Sequence, residues 1–203
     1  LVNDVLNGSI TVKELEAIIE ERENKLFFTE AVHTLHALLE ARRLFADIEL
    51  KMNGLDINSP EEGFMAYVKN LYTIDLHYRH FIHEANQAEC QQLLASITEK
   101  VQLAYTNHYL LKLAQKWQPQ VDSMEQWEMK DIISQEKFYM AYVYPFIANK
   151  KKVFVIISDA LRYETMVELS EKIARMPRME TEMKPAMLST LPSYTQLGMA
   201  ALL

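Results

Sequence analysis

The sequence of 203 residues contains one cysteine, four glycines and six prolines. A single thiol, Cys90, cannot form an internal disulfide, which excludes the small disulfide-stabilised proteins and suits a reducing compartment. Few glycines and prolines argue against an all-β or loop-rich protein, whereas eleven methionines and many Leu, Glu and Lys residues favour helix. We therefore expect a mainly helical, cytoplasmic protein.

Long apolar runs and an excess of positive charge are also missing. No run approaches the roughly 20 residues needed to cross a bilayer, and the N-terminus lacks a secretion signal. The formal net charge is −7, and the sequence shows no broad positively charged region of the kind that contacts phosphate groups. Direct nucleic-acid binding is therefore not indicated. The sequence starts at Leu1 and stops at Leu203 inside an apparently helical stretch. We therefore expect a fragment of a longer protein.

Residues 1–149 are predicted to form a helical region, either a bundle or an arm. Thr11 and Glu14 have the spacing of a capping box, and Ser59-Pro60 is a typical helix start. A further helix is expected to run from Cys90 to Pro119, and a fourth from Ser123 towards Tyr144.

Residues 150–203 differ in pattern. The apolar run Val153–Ile157 predicts a strand buried on both faces that ends near Asp159. A helix from Leu161 to Arg175 and a short strand over Met179–Met183 would follow. Strand, helix and strand in this order predict a parallel α/β unit, with ligand sites beyond the C-terminal ends of the strands.

Two oxygen-bearing residues could form a site at that edge. Asp159 suits a cation, but it could also be the N-cap of the next helix. Thr195, at a predicted helix start, is placed to meet a phosphate. Ser193 and Gln196 have the spacing of a capping box, so capping could account for this segment as well. Spacing alone favours the capping interpretation at both places.

Histidines fall in the helical region. A solvated polar face explains His77 and His80 better than a metal site does, and the same holds for His33 and His36. His108 lies on an apolar stripe and is expected to pack in the core.

The string from Val153 to Glu164, followed by Leu191-Pro-Ser-Tyr-Thr-Gln-Leu-Gly-Met-Ala-Ala-Leu-Leu203, resembles the PglZ family. It is most similar to the type A PglZ phosphatases of BREX (bacteriophage exclusion) systems, which belong to the alkaline phosphatase superfamily. The resemblance covers residues 153–203 firmly and the helical region loosely. It implies an α/β protein with a large N-terminal helical region, followed over 150–203 by the start of an alkaline-phosphatase-like parallel sheet domain that is truncated at the C-terminus.

The resemblance also implies roles for individual residues. Asp159 matches an aspartate that ligates a catalytic metal, usually one of two zinc ions. Thr195 matches the nucleophile that becomes phosphorylated and contacts the metal, with Ser193 as the competing candidate. Further Asp and His ligands would come from later strands, so the chain alone is expected to be inactive. The implied partners are a DNA methyltransferase and ATPase components of the defence system.

Other functions are compatible with the sequence. The helical majority and the acidic charge also suit a catalytically inactive scaffold of a phage-defence complex. A receiver-type domain with Asp159 as phospho-acceptor leaves the segment Leu191–Gly198 unexplained. A haloacid-dehalogenase-type phosphatase would need an acid where Leu161 stands. The leading prediction is a metal-dependent phosphatase or phosphodiesterase.

Overall fold

A computed structural model describes residues 1–23, 25, 28–183 and 185–202. Ten α-helices lie in these ranges: α1 Val2–Asn7, α2 Val12–Arg22, α3 Phe28–Met52, α4 Pro60–Ala66, α5 Tyr72–Gln87, α6 Gln91–Leu103, α7 Leu111–Asp122, α8 Tyr144–Ala148, α9 Tyr163–Ala174 and α10 Thr195–Ala201. π-Helical turns occupy Tyr67–Leu71, Ala104–Leu110 and Tyr139–Val143, and a 3₁₀ turn occupies Gln135–Lys137. No helix in these ranges is both long and apolar enough to cross a membrane.

The chain divides into two compact units. The first comprises residues 1–57 and 69–119, and the second comprises residues 58–68 and 120–203. The predicted division between residues 149 and 150 stays a prediction. Leu203, the last residue of the segment that resembles PglZ, lies outside the described residues.

In the first unit, α3 and α5 run antiparallel and make the main helix contact. Leu38, Leu44, Ile74 and Phe81 are buried between the helices. The predicted capping box of α2 is confirmed, since Thr11 Oγ1 accepts a hydrogen bond from Glu14 N at 3.2 Å and Thr11 N donates to the Glu14 carboxylate at 2.8 Å. Such reciprocal caps satisfy amide groups that the first helical turn leaves free.

A buried carboxylate links α5 to the π-helical turn Ala104–Leu110. Asp75 accepts a hydrogen bond from Tyr105 Oη at 2.6 Å and a longer one from Tyr109 Oη at 3.4 Å. Tyr105 also stacks on Tyr78 with 3.8 Å between ring centroids. The buried carboxylate therefore accepts hydrogen bonds from two tyrosines of another helical segment.

We expect Tyr105→Phe to lower the free energy of unfolding by about 1.5–3 kcal/mol, because a hydrogen bond to a buried charged group is lost. Tyr109→Phe is the matched control: its bond to Asp75 is longer, and the expected loss is below about 1 kcal/mol. Urea unfolding of the three proteins measures both values. Equal losses for the two variants would contradict this account of the cluster.

The predicted α/β fold is wrong for the described residues, which contain no β-strand or sheet. Val153–Ile157 is irregular and pairs with no neighbour, and its Phe154 and Ile156 are 88% and 92% exposed. Met179–Met183 is irregular too, and one isolated bridge joins Ser134 to Leu188. An apolar run predicts burial, but a strand also needs a neighbouring strand that bonds to its N–H and C=O groups. The local sequence pattern does not show whether such a neighbour is present.

Two predicted helix boundaries are also wrong. Pro119 does not end a helix but lies inside α7, which continues to Asp122. No helix starts at Ser123, because residues 124–134 are irregular. The predicted start at Ser59 is confirmed: Ser59 Oγ accepts from Glu62 N at 3.2 Å, and Pro60 is the first residue of α4.

Candidate active site

Asp159 and Thr195, which are 36 residues apart in the sequence, lie side by side in the second unit. Asp159 is in a turn after the irregular segment 151–158, and Thr195 is the first residue of α10. Thr195 Oγ1 donates to the Asp159 carboxylate, with 3.2 Å to Oδ1 and 3.3 Å to Oδ2. Both side chains are exposed. The structure thus brings together the two residues that the sequence marked as a possible site.

The capping interpretation is wrong for both positions. α9 begins at Tyr163 with Arg162 as its N-cap, so Asp159 lies outside the cap, and no side-chain capping bond is formed. The N-cap of α10 is Tyr194, again without a side-chain capping bond, so the box expected from Ser193 is not made. Neither residue type is therefore explained by helix capping.

A cavity of about 530 Å³ opens at the Asp159–Thr195 pair. One part of its wall is apolar, formed by Ile157, Leu161, Met199 and Leu202. Another part carries hydroxyl groups, from Ser189, Thr190, Ser193, Tyr194 and Thr195. Ser193, the competing nucleophile, therefore faces the same cavity, but Thr195 is the hydroxyl bonded to Asp159.

Two residues before the matched motifs support this cavity and were missed in the sequence. Trp127 Nε1 donates to Ser189 O at 2.7 Å. Gln135 Nε2 donates to Gly198 O at 2.8 Å, and its Oε1 accepts from Thr190 N at 3.4 Å. These are side-chain bonds to distant backbone groups, and no periodicity or motif in the sequence signals them.

Arg162 follows Asp159 closely but is engaged in an ion pair. Its Nε lies 2.9 Å from Oε1 of Glu164, a carboxylate that is fully buried in the first turn of α9. The guanidinium of Arg162 therefore contacts a carboxylate at the start of α9, two residues further along the chain.

Two histidines that were expected on a solvated face, His33 and His77, are only partly exposed, and each contacts a carboxylate of the neighbouring helix. His77 Nδ1 lies 2.7 Å from the Glu40 carboxylate, and His33 Nδ1 lies 2.7 Å from that of Glu84. These contacts join α3 to α5. His108, which was expected in the core, is exposed. The helical wheel placed these residues on one face of each helix, but it did not show that the two polar faces meet.

The Asp159–Thr195 pair offers two oxygen donors that fit one metal ion. Their separation of 3.2 Å is close to the roughly 3.3–3.6 Å between neighbouring ligands of tetrahedral zinc. Within the described parts of the chain, no group of three or more His, Cys, Asp or Glu side chains is placed to hold an ion. Two oxygen atoms are fewer than the four ligands of a tetrahedral zinc ion, so the described residues do not form a complete metal site.

Comparison with known proteins identifies the class. Residues 138–203 match the sequence profile described as the BREX system PglZ alkaline phosphatase-like domain. The segment contains both Asp159 and Thr195, so the candidate site lies in an alkaline phosphatase-like region.

Two curated relatives extend the similarity over almost the whole chain. The alkaline phosphatase-like protein PglZ of Bacillus cereus (strain H3081.97) is 37% identical over 188 residues, which cover 92% of this chain and 22% of that protein. The alkaline phosphatase-like protein BrxZ of Escherichia coli O9:H4 (strain HS) is 33% identical over 215 residues, covering 100% of this chain and 25% of that protein. The predicted family is confirmed, and the chain belongs to the PglZ family of BREX systems.

The chain spans about a quarter of the length of these relatives. No solved structure matches it significantly.

Proposed function

We propose that this chain carries the nucleophile and part of the metal site of a metal-dependent phosphatase or phosphodiesterase. The supporting observation is the hydrogen bond from Thr195 Oγ1 to Asp159 in a cavity of the segment that matches an alkaline phosphatase-like domain. The hydroxyl is exposed to ligands and is not used as a helix cap. A nucleophile must be reachable, and it must be held in one orientation. Exposure of Thr195 provides the first property, and its hydrogen bond to Asp159 provides the second.

The chemistry assigned to the chain's own residues has two steps. Thr195 Oγ1 attacks phosphorus, and Asp159 holds the hydroxyl hydrogen in the bond it already accepts. As the new Oγ1–P bond forms, the ester P–O bond breaks, and the proton of the Thr195 hydroxyl passes by way of water to the leaving oxygen. A second water then hydrolyses the phosphothreonine, which restores the hydroxyl group and releases the phosphoryl product.

Asp159 and Thr195 would hold the metal ion, for which zinc is the proposed identity, with two ions in the complete gene product. A bound zinc ion supplies Lewis-acid stabilisation of the charge that develops on the phosphoryl and attacking oxygens. Asp159 and Thr195 provide two ligands of the full set.

We also propose that the protein works in the cytoplasm beside a DNA methyltransferase and ATPase components of a BREX system. The family's occurrence in BREX systems supports this placement. Co-purification with a tagged, complete gene product from a cell that carries the system tests it. Failure to recover either component would contradict the proposed partners.

Metal removal tests the proposed function most directly. We expect the complete gene product to hydrolyse p-nitrophenyl phosphate or its bis-ester, to lose the activity after dialysis against a chelator and to recover it with zinc. Asp159→Asn, which keeps the shape of the side chain and removes its charge, should lower zinc stoichiometry with unchanged circular dichroism. Unchanged zinc stoichiometry in this variant contradicts the metal role, and hydrolysis that resists chelation contradicts metal dependence.

A further inference from the structure

Gln135 connects the two backbone segments that flank Thr195. It is the first residue of the 3₁₀ turn Gln135–Lys137, and its side chain is half-buried. Its amide nitrogen donates to Gly198 O at 2.8 Å, three residues after Thr195. Its amide oxygen accepts from Thr190 N at 3.4 Å, five residues before Thr195. One side chain therefore ties the loop that enters α10 to the helix itself.

The carbonyl that Gln135 reaches is one that the helix does not satisfy. Gly198 belongs to the last four residues of α10, whose carbonyl groups lack intrahelical partners. The amide of the C-cap residue, Leu202, is directed to Met199 and Ala200 instead. Because α10 has only seven residues, it has little intrinsic stability, and an external bond to its backbone matters for its position.

The backbone of Gln135 is itself anchored. Its N–H donates to Leu188 O at 2.8 Å, and Leu188 N donates to Ile133 O at 2.9 Å. Leu188 is buried, so this bridge is shielded from water. The amide side chain thus extends from a fixed backbone point, and it faces the same cavity as Asp159 and Thr195.

From these contacts we infer that Gln135 is a positioning residue for Thr195. By holding the loop at Thr190 and the helix at Gly198, it keeps the Thr195 hydroxyl within hydrogen-bond distance of Asp159. The inference rests on the proposed function, and it concerns a residue that precedes the segment 138–203 matched by the family profile. A displaced nucleophile reacts more slowly, but substrate binding in the ground state is unchanged. Loss of the Gln135 contacts should therefore lower kcat and leave KM nearly unchanged.

The test compares three variants of the complete gene product. Gln135→Leu removes both side-chain bonds at similar volume. Gln135→Glu keeps an acceptor for Thr190 N and loses the donor to Gly198 O. Glu136→Gln, at the exposed neighbouring position, is the control. Steady-state kinetics, zinc stoichiometry and amide hydrogen exchange over residues 188–202 are measured for each variant.

We expect Gln135→Leu to lower kcat roughly 10- to 100-fold with KM within about twofold. Gln135→Glu should lie between it and the wild type, and Glu136→Gln should match the wild type. Amide exchange over residues 188–202 should accelerate more in Gln135→Leu than in Gln135→Glu, with zinc stoichiometry unchanged.

The outcomes separate this inference from the proposed function. An active wild type with unchanged kcat in Gln135→Leu overturns the positioning role alone. An equal loss of kcat, zinc and circular dichroism in both Gln135 variants also overturns it, since that pattern marks a general folding defect. A wild type that hydrolyses no phosphoric ester overturns the proposed function and the role of Gln135 with it.

Discussion

Thr195→Ala is expected to lower kcat for phosphoric ester hydrolysis by at least about a thousandfold in the complete gene product, because it removes the atom proposed to attack phosphorus. The substitution should cost little stability. Thr195 is exposed and makes no capping bond to α10, and alanine is the best helix former. The measurement is steady-state hydrolysis of p-nitrophenyl phosphate and its bis-ester, with circular dichroism and zinc content determined on the same samples.

Matched variants identify which hydroxyl reacts. Thr195→Ser keeps the oxygen and should retain a substantial part of the activity. Ser193→Ala removes the competing hydroxyl and should leave kcat within about threefold. A phosphopeptide trapped by acid quench should carry its phosphate on Thr195. If Thr195→Ala keeps its turnover while Ser193→Ala loses it, Ser193 is the nucleophile and the proposed role of Thr195 is wrong.

The two motif residues could be chosen from the sequence because each has a local signal. An acid follows the apolar run Val153–Ile157, and a hydroxyl precedes a helical pattern at Thr195. Their pairing was expected at the edge of a parallel sheet. The described structure makes the pair without a sheet, through a turn at Asp159 and the first residue of α10. Local signals thus selected two residues that lie side by side, but they did not predict the backbone that brings them together.

Supporting contacts of the site could not be predicted. The bonds made by Trp127 and Gln135 join side chains to carbonyl groups 62 and 63 residues away. Hydrophobic periodicity and capping motifs report on neighbours three or four residues apart, so they contain no information about such pairs. For the same reason the caps at Thr11 and Ser59, which act over three residues, were predicted correctly.

Polar contacts between helices were missed for a related reason. Glu40 and His77 each lie on a polar stripe of their own helix, which a single sequence describes as solvent-facing. In the structure the stripes of α3 and α5 face each other, and Glu40 is only 7% exposed. Its Oε1 lies 2.6 Å from Arg43 Nη1, and its Oε2 lies 2.7 Å from His77 Nδ1. The pairing of faces is decided by tertiary packing.

We expect Glu40→Gln to lower the free energy of unfolding by about 1.5–3 kcal/mol at pH 7, because two hydrogen bonds to a buried charge are weakened. Glu40→Ala should cost more, about 3–5 kcal/mol, because it also leaves a cavity and deprives Arg43 and His77 of a shared partner. Glu49→Gln, an exposed position on the same helix, is the control and should change stability by less than about 0.5 kcal/mol. Urea unfolding monitored by circular dichroism gives all three values.

The stability difference between the wild type and Glu40→Gln should also depend on pH. Burial raises the pKa of Glu40, but the hydrogen bonds and attraction of His77 and Arg43 outweigh burial and leave the pKa below its ordinary value of 4.5. The unfolded chain therefore binds this proton more readily than the folded chain does. The contribution of Glu40 is fully present above pH 4.5 and is lost as the pH falls from there through the lowered folded-state pKa. Consequently the difference in stability between the wild type and Glu40→Gln should shrink as the pH is lowered from about 4.5 to about 3. A difference that stays constant, or grows with acidity, would show that the charge on Glu40 does not stabilise the contact between α3 and α5.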